Sequence, residues 1–214
     1  MDEHGRWLRW TAVLLLIAAV IAISLTAAGT FDPRPNGTEQ WQRLLPAETI
    51  PAHSRRLVWL DQPLPDQAYS VRLTAAYRSG ELDIGYGLVL GTNNEYLAAA
   101  VSPLGYVAIW QATSKQLPLN SNRSQPSAFS LQPSAFIIPW QPWPHVRTGA
   151  GANELWIDVD RSGDSTYERI TVRSNREWLW SGEVEMLEGQ IGLWVESFGE
   201  AAVVNFQRLQ LFNE

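Results

Sequence analysis

Residues 69–111 read YSVRLTAAYRSGELDIGYGLVLGTNNEYLAAAVSPLGYVAIWQ. Tyr69, Val71, Leu73, Ala75 and Tyr77 share one parity, while Ser70, Arg72, Thr74 and Arg78 share the other. A strand sends successive side chains to opposite faces, so this alternation marks a half-buried strand, closed by Gly80. Asp83–Leu90, Glu95–Val101 and Tyr106–Gln111 follow as apolar runs of strand length. Between them stand Thr92-Asn93-Asn94 and Ser102-Pro103-Leu104-Gly105, both of which carry turn chemistry. The stretch reads as consecutive strands joined by short turns.

The C-terminal part continues the pattern. Glu154–Asp160, Glu168–Ser174, Glu177–Gly182, Gln190–Glu196 and Ala202–Phe212 read as strands. Arg161-Ser162-Gly163-Asp164 and Ser174-Asn175-Arg176 read as hairpin connections. In the last strand the apolar parity shifts between Phe206 and Leu209, which predicts a β-bulge. Ala112–Ser134 is rich in Ser, Asn, Gln and Pro and has no period. A loop of that length inside a domain usually carries function or moves. Roughly ten short strands spaced by turns predict an all-β sandwich over residues 50–214.

The N-terminal end has a different physics. Thr11–Ala28 (TAVLLLIAAVIAISLTAA) is uncharged, and Trp7, Leu8 and Trp10 extend it toward the thickness of a bilayer core. Trp7 and Trp10 sit where interfacial aromatics belong, and Arg6 and Arg9 lie on the same short side. The positive residues place 1–10 as a cytoplasmic tail, 11–28 as a single-pass signal-anchor helix, and the remainder outside the cytoplasm. A cleaved signal peptide is the competing reading, since Thr26-Ala27-Ala28 offers small residues, but the apolar run is long for one. Either way the domain is exported. Residues 29–49 hold Pro33, Pro35 and Pro46 among scattered polar residues and read as a linker. Trp41, Leu44 and Leu45 leave room for part of it to dock on the domain.

Composition narrows the function classes. Of 214 residues, 45% are hydrophobic and 18% charged, enough for a core and too little charge for disorder. The net charge of −6 argues against a nucleic-acid partner. With no Cys there are no disulfides, thiolate metal sites, cysteine nucleophiles or lipobox anchor. Lys115 is the one Lys among 16 basic residues, an Arg bias that points to a GC-rich bacterial genome. His4, His53 and His145 are scattered, and no nucleophile-elbow, dinucleotide or phosphate-loop pattern occurs.

Three stretches carry a family resemblance. GYGLVLGTNNEYLAAAVSPLGYVAIWQ (85–111), GAGANELWID (149–158) and EGQIGLWVESFGEAAVVNFQRLQL (188–211) resemble the strand–turn–strand, mid-domain and closing segments of concanavalin A-like lectin/glucanase domains. The resemblance covers roughly residues 50–212 and implies a two-sheet antiparallel jelly roll. It further implies a glycan-binding or glycosidase class of function.

Catalysis has one candidate and it is incomplete. Glu81-Leu82-Asp83 resembles the start of the three-carboxylate strand of laminarinase-type glycosidases, but Gly85 and Tyr86 stand where the last Glu belongs. Without an acid for the leaving group the mechanism lacks half its parts. The expectation is a non-enzyme, with a degenerate glycosidase or a structural envelope protein as alternatives. Asp158, Asp160 and Asp164 begin like a calcium loop, yet Arg169 stands where a bidentate carboxylate is needed. The reading is therefore no cofactor, calcium being the weak candidate.

The binding candidate rests on parity. Leu155, Ile157 and Val159 take one face of their strand and send Trp156 outward beside Glu154; Ile191, Leu193 and Val195 do the same for Trp194 beside Glu196. Indole faces stack on pyranose rings, carboxylates accept sugar hydroxyls, and Gly192 would leave room for a ring. Alternatively, the 112–134 loop, Trp140 or Trp143 covers these indoles and extends the core. The combined expectation is a membrane-anchored, extracytoplasmic module whose partner is a glycan or an envelope protein.

Overall fold

The computed structural model describes residues 3–27, 32–35, 37–113, 135–161 and 166–213. The chain divides into two units, residues 1–34 and 35–214. The first holds α1 (Glu3–Ala27), a helix of 25 residues and therefore about 37 Å long. Its Trp10–Ala27 stretch is long and apolar enough to cross a membrane.

The second unit contains thirteen strands among the described residues. They are β1 (Thr38–Leu44), β2 (Ala47–Ile50), β3 (Arg55–Pro63), β4 (Tyr69–Gly80), β5 (Ile84–Gly91), β6 (Glu95–Val101) and β7 (Tyr106–Thr113). After them come β8 (Ala135–Pro142), β9 (Asn153–Asp160), β10 (Tyr167–Ser174), β11 (Glu177–Glu185), β12 (Gln190–Ser197) and β13 (Ala202–Asn213). One sheet runs β1-β13-β4-β9-β10-β11 with β2 also on β13, and the other runs β3-β12-β5-β6-β7-β8. The strand pairs are antiparallel. The sandwich architecture is as the alternation implies.

The core lies between the sheets. Tyr69, Val71, Leu73 and Ala75 of β4 meet Leu88 and Leu90 of β5, Leu155, Ile157 and Val159 of β9, and Ile191, Leu193 and Val195 of β12 in one buried cluster. Burying a large aliphatic side chain contributes about 1.5–3 kcal/mol, so this cluster dominates the stability of the fold. The predicted bulge in β13 is present: the register with β4 shifts between Phe206 and Arg208.

The linker reading of 29–49 needs correction. β1 pairs with β13 from Thr38↔Asn213 to Leu44↔Arg208, and β2 pairs with it from Ala47↔Asn205 to Ile50↔Ala202. Trp41 and Leu45 pack on the core, as docking would require, whereas Leu44 is exposed. The sandwich thus begins near residue 38, not 50. Most of the Ala112–Ser134 loop lies outside the described residues.

One buried ion pair bears on stability. Arg161 Nε lies 2.6 Å from Glu168 Oε1; Glu168 is buried within the sandwich, and the guanidinium lies over the Tyr69 ring. Desolvation pushes the Glu168 carboxyl above its usual range, with Arg161 pulling it partway back. The folded state therefore holds this proton more tightly than the unfolded state. Its contribution is full below the unfolded value of about 4.3 and is lost as pH rises through the raised folded value. Chemical denaturation across this window is expected to show stability falling with pH. Glu168→Gln should flatten that slope; an unchanged slope would assign it elsewhere.

Candidate functional site

The outer face of the β1-β13-β4-β9-β10-β11 sheet is polar, and strand register builds it row by row. Arg72 of β4 stands beside Trp156 of β9, and Trp156 beside Arg173 of β10. One row over, Ser70 pairs with Asp158, and on the other side Thr74 pairs with Glu154 and with Arg208 of β13. These positions take the parity opposite to the core residues of the same strands, which is why charged side chains collect here.

Charges on this face are matched across strands. Ser70 Oγ donates to Asp158 Oδ1 at 2.6 Å, and Arg173 Nε lies 3.5 Å from Asp158 Oδ2. Burial raises the Asp158 carboxyl, offset by the Ser70 hydroxyl and by Arg173. Arg72 Nε lies 3.7 Å from Glu154 Oε2, while Glu154 Oε1 is buried and accepts no hydrogen bond. A buried acceptor left unmade costs about 1–3 kcal/mol, so this oxygen carries a local penalty within the face.

Beside this row lies a groove of about 420 Å³ lined by Thr74, Arg147, Ala152, Glu154, Asn175, Arg176 and Arg208. Its rim is held by two Asn side chains. Asn153 Oδ1 accepts the Arg147 N–H at 2.8 Å, and its Nδ2 donates to the Arg147 carbonyl at 2.9 Å. Asn175 Oδ1 accepts the Glu154 N–H at 2.9 Å, and its Nδ2 donates to the His145 carbonyl and to Asn153 Oδ1. Asn175 and Arg176 both take left-handed backbone at φ 50° and 74°. Asn tolerates that region and Arg does not, so the turn holds Arg176 against a local cost of roughly 1–3 kcal/mol.

The sequence-derived pairs fall on opposite faces. Trp156 and Glu154 belong to the polar face just described, and Trp194 and Glu196 to the outer face of the other sheet. Both indoles point away from the inter-sheet core, as parity requires, but neither is an open platform. Trp156 is fully buried, with the Arg72 guanidinium 4.1 Å from its ring centroid. The register sets that cation on the face a sugar would use, a favourable cation–π contact. Trp194 is 2% exposed and packs edge-on to Trp110, with centroids 4.7 Å apart, and against Trp140. The coverage reading thus applies, through Trp140, whereas Trp143 joins the main core instead.

The space expected at Gly192 is filled too. A Cβ there would meet the Trp59 ring at 2.7 Å, and one at Gly85 would meet Trp140 and Trp194. This face is an apolar floor of small residues, Ala98, Ala100 and Ala108 among them, tiled by indoles. Glu196 is engaged by Arg55, whose Nε and Nη2 donate to its two oxygens at 2.9 and 3.0 Å. Both carboxylate oxygens accept from the fork and Glu196 is buried, so it presents little acceptor surface to a sugar.

The remaining candidates are placed as follows. Glu81 folds back on its own turn, accepting the N–H groups of Leu82 and Asp83. His53 Nδ1 bonds to the Phe198 carbonyl. Asp158 is committed to Ser70 and Arg173, Asp160 is exposed, and Asp164 lies outside the described residues. Among the described residues no three His, Asp or Glu side chains group to hold a metal. Arg147, Asn175, Arg176 and Arg208 line the groove without being marked as site residues by the sequence pattern. The outward parity of Arg208 was a usable signal; the loop residues had none.

No protein-family model matches the chain, and no curated protein matches it in sequence. In fold it is similar to the carbohydrate-binding module CBM66 from Bacillus subtilis, with TM-score 0.52 and 12% identity over 84% of this chain and 97% of that one. It is also similar to the CBM40 module of a Ruminococcus gnavus sialidase bound to α2,3-sialyllactose, with TM-score 0.44 and 11% identity over 80% and 90% of the two chains. Sheep galectin-11 gives TM-score 0.42 and 13% identity over 74% and 97%. What the chain shares with the first of these is the fold, a two-sheet antiparallel β-sandwich.

Proposed function

We propose that the chain is a membrane-anchored, extracytoplasmic module that binds a glycan in the groove beside Arg72 and Trp156 and performs no catalysis. The observation that carries this reading is the preorganised polar groove of about 420 Å³ whose wall includes the Glu154 carboxylate. Sugar hydroxyls donate to carboxylates, and a rim fixed by Asn153 and Asn175 limits the ordering cost of binding them. The fold similarity to a carbohydrate-binding module supports the same class. Against catalysis, Glu154 and Asp158 lie four residues apart on one strand, about 13 Å along the backbone. Glycosidase carboxyls need about 5–9.5 Å, and Glu81 Oε1 is held by the N–H groups of its own turn.

The full chain in detergent micelles, applied to a glycan array, tests this. Retention of at least one glycan is expected, and Glu154→Ala should lower it about tenfold or more with the unfolding midpoint little changed. Folded protein retained by no glycan, or retained equally after Glu154→Ala, would overturn the reading. For the anchor, protease added to intact cells should remove the sandwich while sparing α1. Protection of the sandwich until the cytoplasm is opened would refute the orientation.

A further inference from the structure

We infer that the ligand of this groove is an acidic sugar, its carboxylate or ester anion held by Arg147, Arg176 and Arg208 and its neighbouring hydroxyl by Glu154. The inference rests on the glycan-binding reading and adds the charge class of the ligand. Three of the seven residues lining the groove are Arg and one is acidic, in a chain whose net charge is −6. A cationic groove on an anionic protein is not the average surface. It concentrates anions locally and repels them elsewhere.

The choice of Arg over Lys is itself chemical. Guanidinium presents planar paired donors that match a carboxylate, sulfate or phosphate two atoms at a time. Each Arg is positioned by a separate device. Arg208 follows the β13 bulge, which re-aims its side chain onto the outer face. Arg147 is fixed by its backbone bonds to Asn153 and by Nη1 donating to the Ala152 carbonyl at 3.0 Å. Arg176 occupies the left-handed turn at φ 74°, locked by the Asn175 side chain.

Glu154 makes the site more than an anion trap. Its carboxylate pairs with Arg72 through Oε2 and forms part of the groove wall. A bare phosphate would suffer repulsion there, whereas a hydroxyl would donate to it. The complementary ligand therefore carries an anionic group and a hydroxyl on one scaffold, as an acidic pyranose does. The groove volume of about 420 Å³ falls within the range of small-ligand sites, roughly 300–1,000 Å³.

The test uses the full chain in uncharged detergent micelles and a panel of immobilised oligosaccharides. The panel contains galacturonate, glucuronate and sulfated galactose oligomers, with neutral galactose and glucose oligomers of matched length. At least one acidic member should be retained tenfold or more above its neutral counterpart, with retention falling steeply between about 50 and 500 mM salt. Arg208→Gln and Arg176→Gln should each lower that retention about tenfold, and Arg208→Lys by less, at unchanged unfolding midpoints. Glu154→Gln should weaken the sugar but strengthen competition by inorganic phosphate. Equal retention of neutral and acidic oligomers, reduced by Glu154→Ala, would refute the acidic class and leave glycan binding standing. Folded protein retained by no oligosaccharide, acidic or neutral, would end both. An Arg208-dependent preference for phosphatidylglycerol over phosphatidylcholine vesicles, without any sugar retention, would overturn the inference in favour of a lipid headgroup.

Discussion

Deleting residues 35–50 is expected to unfold the sandwich rather than shorten a tether. β13 lies between β1 and β4, and its inward Leu209 and Leu211 are buried. Removal of β1 would strip one flank of β13 along the register from Thr38↔Asn213 to Leu44↔Arg208 and expose a long apolar edge. Trp41 and Leu45 would leave the core, and so would Ile50, which is 1% exposed. Truncating one buried Ile to Ala alone costs about 2–5 kcal/mol, against a total domain stability of about 5–15 kcal/mol. Loss of that residue together with two strands is of the same order as the whole. The measurement is chemical denaturation or limited proteolysis of the deleted and complete chains in one detergent. An unchanged midpoint would mean that residues 35–50 are a spacer after all.

That misplaced boundary shows what a single sequence can and cannot carry. β5 and β6 are buried at nearly every position and β4 alternates apolar with polar residues from Tyr69 to Ala75, so their character is written in local pattern. β1, β3 and β8 are edge strands, each paired on one side. Their side chains are largely exposed or half-buried and their patterns correspondingly weak. β8 also contains Pro139 and Pro142, which read as strand breakers yet are tolerated where one row of N–H groups has no ladder to join.

The candidate site divides in the same way. Parity correctly sent Trp156, Trp194, Glu154 and Glu196 away from the core, because it depends on a period of two within one strand. What covers each side chain depends on cross-strand register, which is not local. Arg72 reaches Trp156 because β4 and β9 pair in one register out of several, and Trp59 fills the space over Gly192 because β3 joins β12. Arg147 and Arg176 come from turns whose positions follow only once β9, β10 and β11 are assembled.

Trp156→Ala and Trp194→Ala should each destabilise the sandwich by about 3–5 kcal/mol, the cost of removing a buried indole and leaving a cavity. Trp156 is 0% exposed and Trp194 2%, so neither site can relax by letting solvent replace a surface group. Their functional consequences should separate, because the two indoles lie on opposite sheets. Below the transition, folded Trp194→Ala should retain glycan as the unaltered chain does. Trp156→Ala should not, since the indole supports the guanidinium of Arg72, which in turn pairs with Glu154. Trp156→Phe keeps an aromatic face under that guanidinium and should recover much of the retention. The checks are unfolding midpoints and glycan retention normalised to the folded fraction. A Trp→Ala variant within about 0.5 kcal/mol of the unaltered chain would identify its indole as surface-borne. Equal loss of retention in both variants would place the site somewhere other than the Arg72 face. The logic is one of support: Trp156 acts on the groove through Arg72, whose guanidinium lies over the ring and pairs with Glu154 at the groove wall.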